Sequence, residues 1–268
     1  MNDNTAIESM GQVYTFFSTA SAVGKTCLAI NFATELAQQG YKVCLFNADF
    51  QFGDICRYLG IKADKNIFDY SNFIASKKNA GNIDLFLAET KYNFSVLAAP
   101  LELDEAYLIN ADLVTQCIGE LRDAFDFIVI DTTAGFSDIN MGIIEYTDTL
   151  FIPTVIDFIP TIRNLKLGLD TLEKLRFNLN RVRLILNRYK AETQISVNDV
   201  ESLIEKEFQY FVSNDYMQFR QSIKSQTPLV LLDDNKVSHE IKDIVAEELG
   251  DGKNDSGLMN WFGKLWKN

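Results

Sequence analysis

The sequence predicts a three-layer α/β sandwich on a mostly parallel central sheet, and three features point there. Strand-like and helix-like segments alternate along most of its 268 residues. The strand segments are near-continuous Val, Ile, Leu and Phe, the pattern of strands buried on both faces by helices. The first strand runs through a loop of small residues into a helix that opens with Gly24-Lys25-Thr26. At 47% hydrophobic residues the chain has enough apolar material for a sizeable core.

Taken in order, VYTFFS (13–18) reads as the first strand. The stretch 26–40 puts Leu28, Phe32 and Leu36 on one helical face, with Gly40 suited to the position just past the helix end. YKVCLFNAD (41–49) and NFSVLAAP (93–100) read as strands, Ala111–Ala124 as a helix, and FDFIVID (125–131) as a strand ending in an acid. DTLFIPTVI (148–156), a helix over Ile162–Leu175, and RVRLILNR (181–188) continue the alternation. Helices over 197–208 and 237–250 close the domain. The expected organisation is a flexible N-terminus (1–11), one domain (12–250), a polar linker (251–257) and a short amphipathic helix (258–268).

Composition narrows the function classes. Lys and Arg total 25 against 37 Asp and Glu, a net charge of −12 at pH 7, and so acidic a surface repels nucleic-acid backbones. No apolar run approaches the roughly 20 residues that span a bilayer, and the N-terminus lacks a signal-peptide pattern, so a cytoplasmic chain is expected. Cys27, Cys44, Cys56 and Cys117 show no CxxC spacing and read as small hydrophobes. A lone histidine, His239, excludes a His-rich metal site or a triad centred elsewhere.

The chemistry concentrates at residues 19–26. Small residues let the backbone approach an anion, successive N–H groups and a helix N-terminus face it, and Lys25 brings a positive charge. Thr26 offers a hydroxyl to Mg²⁺. The strict GxxxxGK[ST] pattern is not met, because Thr19 stands where its first glycine belongs. Asp49 and Asp131, each at the carboxyl end of a strand, are placed where open α/β sheets gather ligands. There a carboxylate holds Mg²⁺ through water or orients an attacking water. The Gly135 amide, in the loop after Asp131, is placed to sense a terminal phosphate.

From about Val13 to Leu249 these residues resemble the MinD/ParA superfamily of deviant Walker A ATPases, P-loop NTPases of the SIMIBI type. STASAVGKT (18–26) is similar to that family's phosphate loop, NADFQFGD (47–54) to its second acidic motif, DTTAGF (131–136) to its switch loop and ILNR (185–188) to its base-contacting strand end. VLAAP (96–100), IRNLKLGLDTLEKL (162–175) and SIKSQTPLVLLDDNK (222–236) look closest to the CpaE/TadZ branch, whose members position pilus or secretion machinery. The resemblance implies ATP and Mg²⁺ as ligands. It implies a cradle of Thr19, Ala20, Ser21, Ala22, Val23 and Gly24, with Lys25, Thr26 and Cys27 opening the helix. Lys25 would contact the β- and γ-phosphates, Thr26 and Asp131 would serve the metal, Asp49 would orient water, and Asn187 would read adenine.

The departures from the family pattern carry expectations of their own. Ala20 replaces the signature lysine that reaches a dimer partner's phosphates, Ser21 and Ala22 replace two glycines, and Asn47 replaces the first acid of the second motif. A cation supplied in trans changes phosphoryl-transfer rates by roughly 10³-fold or more, so slow turnover is expected, with ATP acting mainly as a homodimerisation switch. Arg57 and Arg163 are the substitutes the sequence offers.

Leu258, Trp261, Phe262, Leu265 and Trp266 fall on one face of the expected C-terminal helix, with Lys264 and Lys267 opposite. That is the pattern of an interfacial membrane helix, and it resembles the C-terminal targeting helix of MinD-type proteins. It predicts a peripheral position at the inner face of the membrane, with a protein groove as the other reading. Pilus or secretion proteins are the expected partners, with no specific nucleic acid. The alternative is a degenerate scaffold that binds partners without turnover. DNA partition is disfavoured by the charge, and an iron–sulfur reductase by the lack of cysteines over 131–147.

Overall fold

The computed structural model describes residues 10–77, 82–189, 195–232 and 234–250. The linker at 251–257, the helix at 258–268 and most of the N-terminal stretch lie outside them. In chain order the strands are β1 (Gln12–Ser18), β2 (Val43–Ala48), β3 (Ala88–Glu89), β4 (Ser95–Leu97), β5 (Phe127–Ala134), β6 (Thr149–Thr154), β7 (Val182–Tyr189) and β8 (Tyr210–Ser213). The helices are α1 (Lys25–Gln38), α2 (Ile55–Leu59), α3 (Ile67–Lys77), α4 (Leu103–Ala106), α5 (Ala111–Ala124) and α6 (Asp138–Glu145). They continue with α7 (Ile159–Lys174), α8 (Val197–Ile204), α9 (Tyr216–Ser225) and α10 (Lys236–Glu248).

The strands form one sheet in the order β3-β4-β2-β5-β1-β6-β7-β8, parallel throughout except for β3. The expected architecture is therefore present. Side chains alternate across the sheet. Tyr14 and Phe16 of β1 pack with Leu28, Phe32 and Leu36 of α1 and Ile241 of α10 on one face. On the other face Ile128 and Ile130 meet Val114 and Ile118 of α5. Leu150, Ile152 and Leu184 meet Leu165 and Leu169 of α7 there. Phe16, Phe32 and Phe151 stand with ring centroids 5.0 Å apart pairwise. That trio packs the middle of α1 against β1 and β6, the two strands flanking the loop that leads into it.

Several boundaries differ from expectation: β4 keeps only three of the eight residues expected over 93–100, and α7 starts at Ile159, ahead of the expected Ile162. β5 runs on through Ala134, so Asp131 lies inside the strand rather than at its tip. It is registered against Phe16 of β1 and Asn47 of β2, and the Thr132 hydroxyl donates to the Phe16 carbonyl, extending the pairing. The helix expected over 197–208 stops at Ile204, where Glu205 turns left-handed at φ 58°. The Glu201 carboxylate accepts the Phe208 amide beyond that turn. β3, β8, α2, α3, α4, α6 and α9 have no counterpart among the expected segments. Of α9, only Ser222 is fully buried and Phe219 packs part-exposed on the core, so the Tyr216, Phe219 and Ile223 stripe of this helix faces mostly outward.

Candidate functional site

β1 delivers the chain to Ser18 in the middle of the sheet, and α1 leaves from Lys25. Between them Ala22 (φ 60°) and Gly24 (φ 96°) are left-handed, an alternation that turns successive amides to one side. A Cβ on Gly24 would stand 2.3 Å from the Asn187 amide nitrogen, so glycine is required there for space as well as for backbone angle. No side chain caps the N-terminus of α1. Its first-turn N–H groups face the loop, the arrangement that favours an anion.

Thr19, where the strict motif has glycine, is accommodated from outside the loop. A Cβ built on Gly168 of α7 would lie 2.3 Å from the Thr19 methyl, so the helix leaves a glycine-sized gap for that side chain. Gly168→Ala is expected to cost about 1–3 kcal/mol by overpacking, read as a lower urea midpoint with an unchanged slope. Adding Thr19→Ser, which removes the methyl, should recover most of it. An unchanged midpoint for the single variant would mean the gap is not needed.

Lys25 and Asp131 lie near enough beneath the loop for each to feel the other's charge. The Lys25 ammonium donates to Ser18 Oγ at 2.9 Å, and the Ser18 hydroxyl donates to the Ala20 carbonyl at 2.6 Å. Burial lowers the Lys25 pKa, with the charges of Asp131 and Asp49 acting against that. Asp131 has no exposed surface, and neither of its carboxylate oxygens has a hydrogen-bond partner. Burial pushes its carboxyl up to about 7, offset in part by the neighbouring Thr26 hydroxyl and the Lys25 charge. A buried carboxylate with two orphaned oxygens beside a threonine hydroxyl fits Mg²⁺, which binds through one or two protein oxygens plus phosphates. Among the described residues no group of three His, Cys, Asp or Glu side chains forms a self-sufficient metal cage.

Asp49 follows β2, half-buried, and its Oδ1 accepts the Phe52 amide at 3.2 Å. Asn47 is paired in register with Asp131 on the neighbouring strand. A second carboxylate there would face a desolvated like charge, whereas the neutral amide packs against Gly53, within 2.3 Å of where a Cβ would be. Gly135 is left-handed at φ 86°. Its amide donates to the Ser18 carbonyl at 2.8 Å, so the expected phosphate sensor is engaged within the chain. Asn140, fully buried on α6, donates to the carbonyls of Gly135 (2.7 Å) and Thr133 (3.3 Å), tying the switch loop to its helix.

Asn187, the residue the resemblance places at adenine, is hydrogen-bonded to the loop and to its neighbour. Its Nδ2 donates to the Val23 carbonyl at 2.8 Å and its Oδ1 accepts the Arg188 amide at 2.9 Å. The Arg188 guanidinium donates to the Ala22 carbonyl at 2.7 Å. Arg188 ends the ILNR motif, and nothing in the sequence pattern marks it as a contact to the loop. Arg57 and Arg163, the cations the sequence offered, are exposed on α2 and α7. Cys27 faces Tyr58, Sγ to hydroxyl 3.3 Å, and Tyr58 in turn meets Ser222 at 2.8 Å. Burial pushes the Cys27 thiol up to about 12, so it is a protonated structural group rather than a nucleophile. The tail residues Leu258, Trp261, Phe262, Leu265 and Trp266 lie outside the described residues.

A parallel α/β sheet with a left-handed small-residue loop, an uncapped helix start, and a lysine and a buried aspartate below it defines a phosphate-binding nucleotide domain. The chain belongs to the CobQ/CobB/MinD/ParA nucleotide-binding domain family, whose model matches residues 14–226. It is 25% identical over 202 residues to the cell division protein PomZ of Myxococcus xanthus, covering 70% of this chain and 61% of that protein. It is 24% identical over 181 residues to the septum site-determining protein MinD of Thermotoga maritima, covering 68% and 65%. In fold it matches a ParA family ATPase from Chlorobium tepidum with TM-score 0.80 at 22% identity, over 87% of this chain and 98% of that one. MinD from Pyrococcus horikoshii, solved with Mg-ADP, gives TM-score 0.75 at 19% identity, over 89% and 96%.

Proposed function

We propose that this chain is an ATP-binding positioning switch of the deviant Walker A kind, nearest the CpaE/TadZ branch, that binds Mg·ATP, turns it over slowly and associates as a homodimer. The observation that carries the reading is Asp131, a fully buried carboxylate with unpartnered oxygens beside Lys25 and Thr26 under a phosphate-shaped loop. Lys25 neutralises charge on the outer phosphates, and the loop amides hold the rest. Thr26 and Asp131 would hold Mg²⁺, which when bound neutralises charge shared between β- and γ-phosphate oxygens. Asp49 takes the position from which a water is oriented.

Exposed apolar side chains support association on this same edge of the sheet. Phe52 (74% exposed), Leu101 (80%) and Ile159 (69%) follow β2, β4 and β6 respectively, all at strand carboxyl ends. Such a set on the ligand-binding edge fits a second copy. Among the described residues no helix is long and apolar enough to cross a membrane. Peripheral attachment is assigned to Leu258, Trp261, Phe262, Leu265 and Trp266, and pilus or secretion machinery is the proposed cargo. Two tails in a dimer bind lipid far better than one, through effective concentration.

Steady-state ATP hydrolysis tests the catalytic part. With Ala20 in place of a trans-acting lysine, turnover is expected below about 0.1 s⁻¹, falling to background in Asp49→Ala while Mg·ATP still binds. Brisk turnover abolished by Asp49→Ala would overturn the slow switch. Absence of nucleotide binding would leave a scaffold in its place.

A further inference from the structure

We propose that Arg188 is a positioning residue for phosphate binding, aiming the loop amides by holding the Ala22 carbonyl from outside; this rests on the nucleotide-binding reading above. Successive strand residues point to opposite faces of a sheet. Asn187 and Arg188 nevertheless both reach the loop, on the adjacent carbonyls of Val23 and Ala22. The backbone shows how. Arg188 is left-handed at φ 54°, an uncommon conformation for a side-chain-bearing residue, and the β7–β8 register shifts between Leu186 and Tyr189. An irregularity of this kind re-aims a side chain, and here it turns Arg188 onto the loop.

The consequence follows from peptide geometry. In a planar trans peptide the C=O and the next N–H point in opposite directions. Drawing the Ala22 and Val23 carbonyls toward β7 therefore turns the Val23 and Gly24 amides the other way, into the cradle. Loops of this type usually have glycines at positions that here are Ser21 and Ala22, and residues with a Cβ adopt left-handed angles at a cost. The two hydrogen bonds from β7 hold Ala22 at φ 60° against that cost. Arg188 is exposed and, among the described residues, forms no ion pair, so its hydrogen bond to Ala22 is the contact that orders it.

Calorimetric titration of Mg·ADP into the full chain, Arg188→Ala and Arg188→Lys tests this. The alanine variant is expected to bind about tenfold more weakly, with a nucleotide-free melting temperature within about 2 °C of the unaltered chain, as for an exposed substitution. The lysine variant, which keeps a charged donor, should recover to within about threefold. The deficit of the alanine variant should persist at about 0.5 M KCl, because a local hydrogen bond is not screened as a distant charge is. An alanine variant that binds normally would overturn the proposal while leaving the nucleotide reading intact, and so would a deficit that salt removes or lysine does not repair. An unaltered chain that binds no Mg·ADP would remove the nucleotide reading itself, and the clamp with it.

Discussion

Lys25→Ala is expected to weaken Mg·ATP binding by roughly 100-fold or more, the size of a lost charge-assisted contact of about 3 kcal/mol. The lysine stands 2.9 Å from Ser18 Oγ at the bottom of the loop, and burial already depresses its pKa. A cation held in that state gains more from an arriving phosphate than an exposed one does, because little water screens the pair. The uncapped start of α1 and the loop amides remain in the variant, so residual affinity comes from backbone dipoles alone. The nucleotide-free fold should lose some stability above about pH 7, because the Lys25 charge that partly offsets the buried Asp131 carboxylate is gone. Fluorescence titration with a labelled ATP reads the loss, and binding within a few-fold of the unaltered chain would contradict the assigned role.

Asp131→Asn is expected to separate stability from ligand binding. The carboxyl is raised to about 7 in the folded chain by burial, above its ordinary value of 3.8. Between those values the unfolded chain binds fewer protons than the folded one, so stability falls as pH rises from about 4 to 7 and is flat above. The charge then costs about 4 kcal/mol at pH 8 and about 2 kcal/mol at pH 5. Asparagine removes that cost but leaves a buried amide short of partners, which takes back part of the gain. In Mg²⁺-free buffer the variant should melt on the order of 5 °C higher at pH 8, with the advantage shrinking at pH 5. Mg·ATP, which should stabilise the unaltered chain, should do little for the variant. A melting difference independent of pH, or a variant less stable at pH 8, would contradict the account of Asp131.

Much of the architecture was legible because parallel strands buried on both faces leave uninterrupted apolar runs. The helix expected at Ala111–Ala124 has those bounds in the structure, since Asn110 caps its start through the Leu113 amide. Elements with little to bury leave little trace, whereas α3 carries a stripe at Ile67, Tyr70 and Ile74 that the sequence does show. α9 exposes Tyr216, Met217 and Ile223 and reaches the core only through the half-buried Phe219 and the buried Ser222. The site was partly legible in the same way. Lys25, Thr26 and Asp49 stand on local spacing, but the burial of Asp131 depends on β5 continuing past it. The gap at Gly168 that receives Thr19, and the turn that aims Arg188 at Ala22, join segments more than 100 residues apart. Neither leaves a trace in local pattern.

Sedimentation velocity of the full chain with Mg·ATP, with Mg·ADP and with neither tests the switch most directly. The account predicts a dimer with Mg·ATP only, reverting to monomer in Lys25→Ala. One unchanged mass under all three conditions would contradict it, leaving a domain that holds nucleotide without using it to associate.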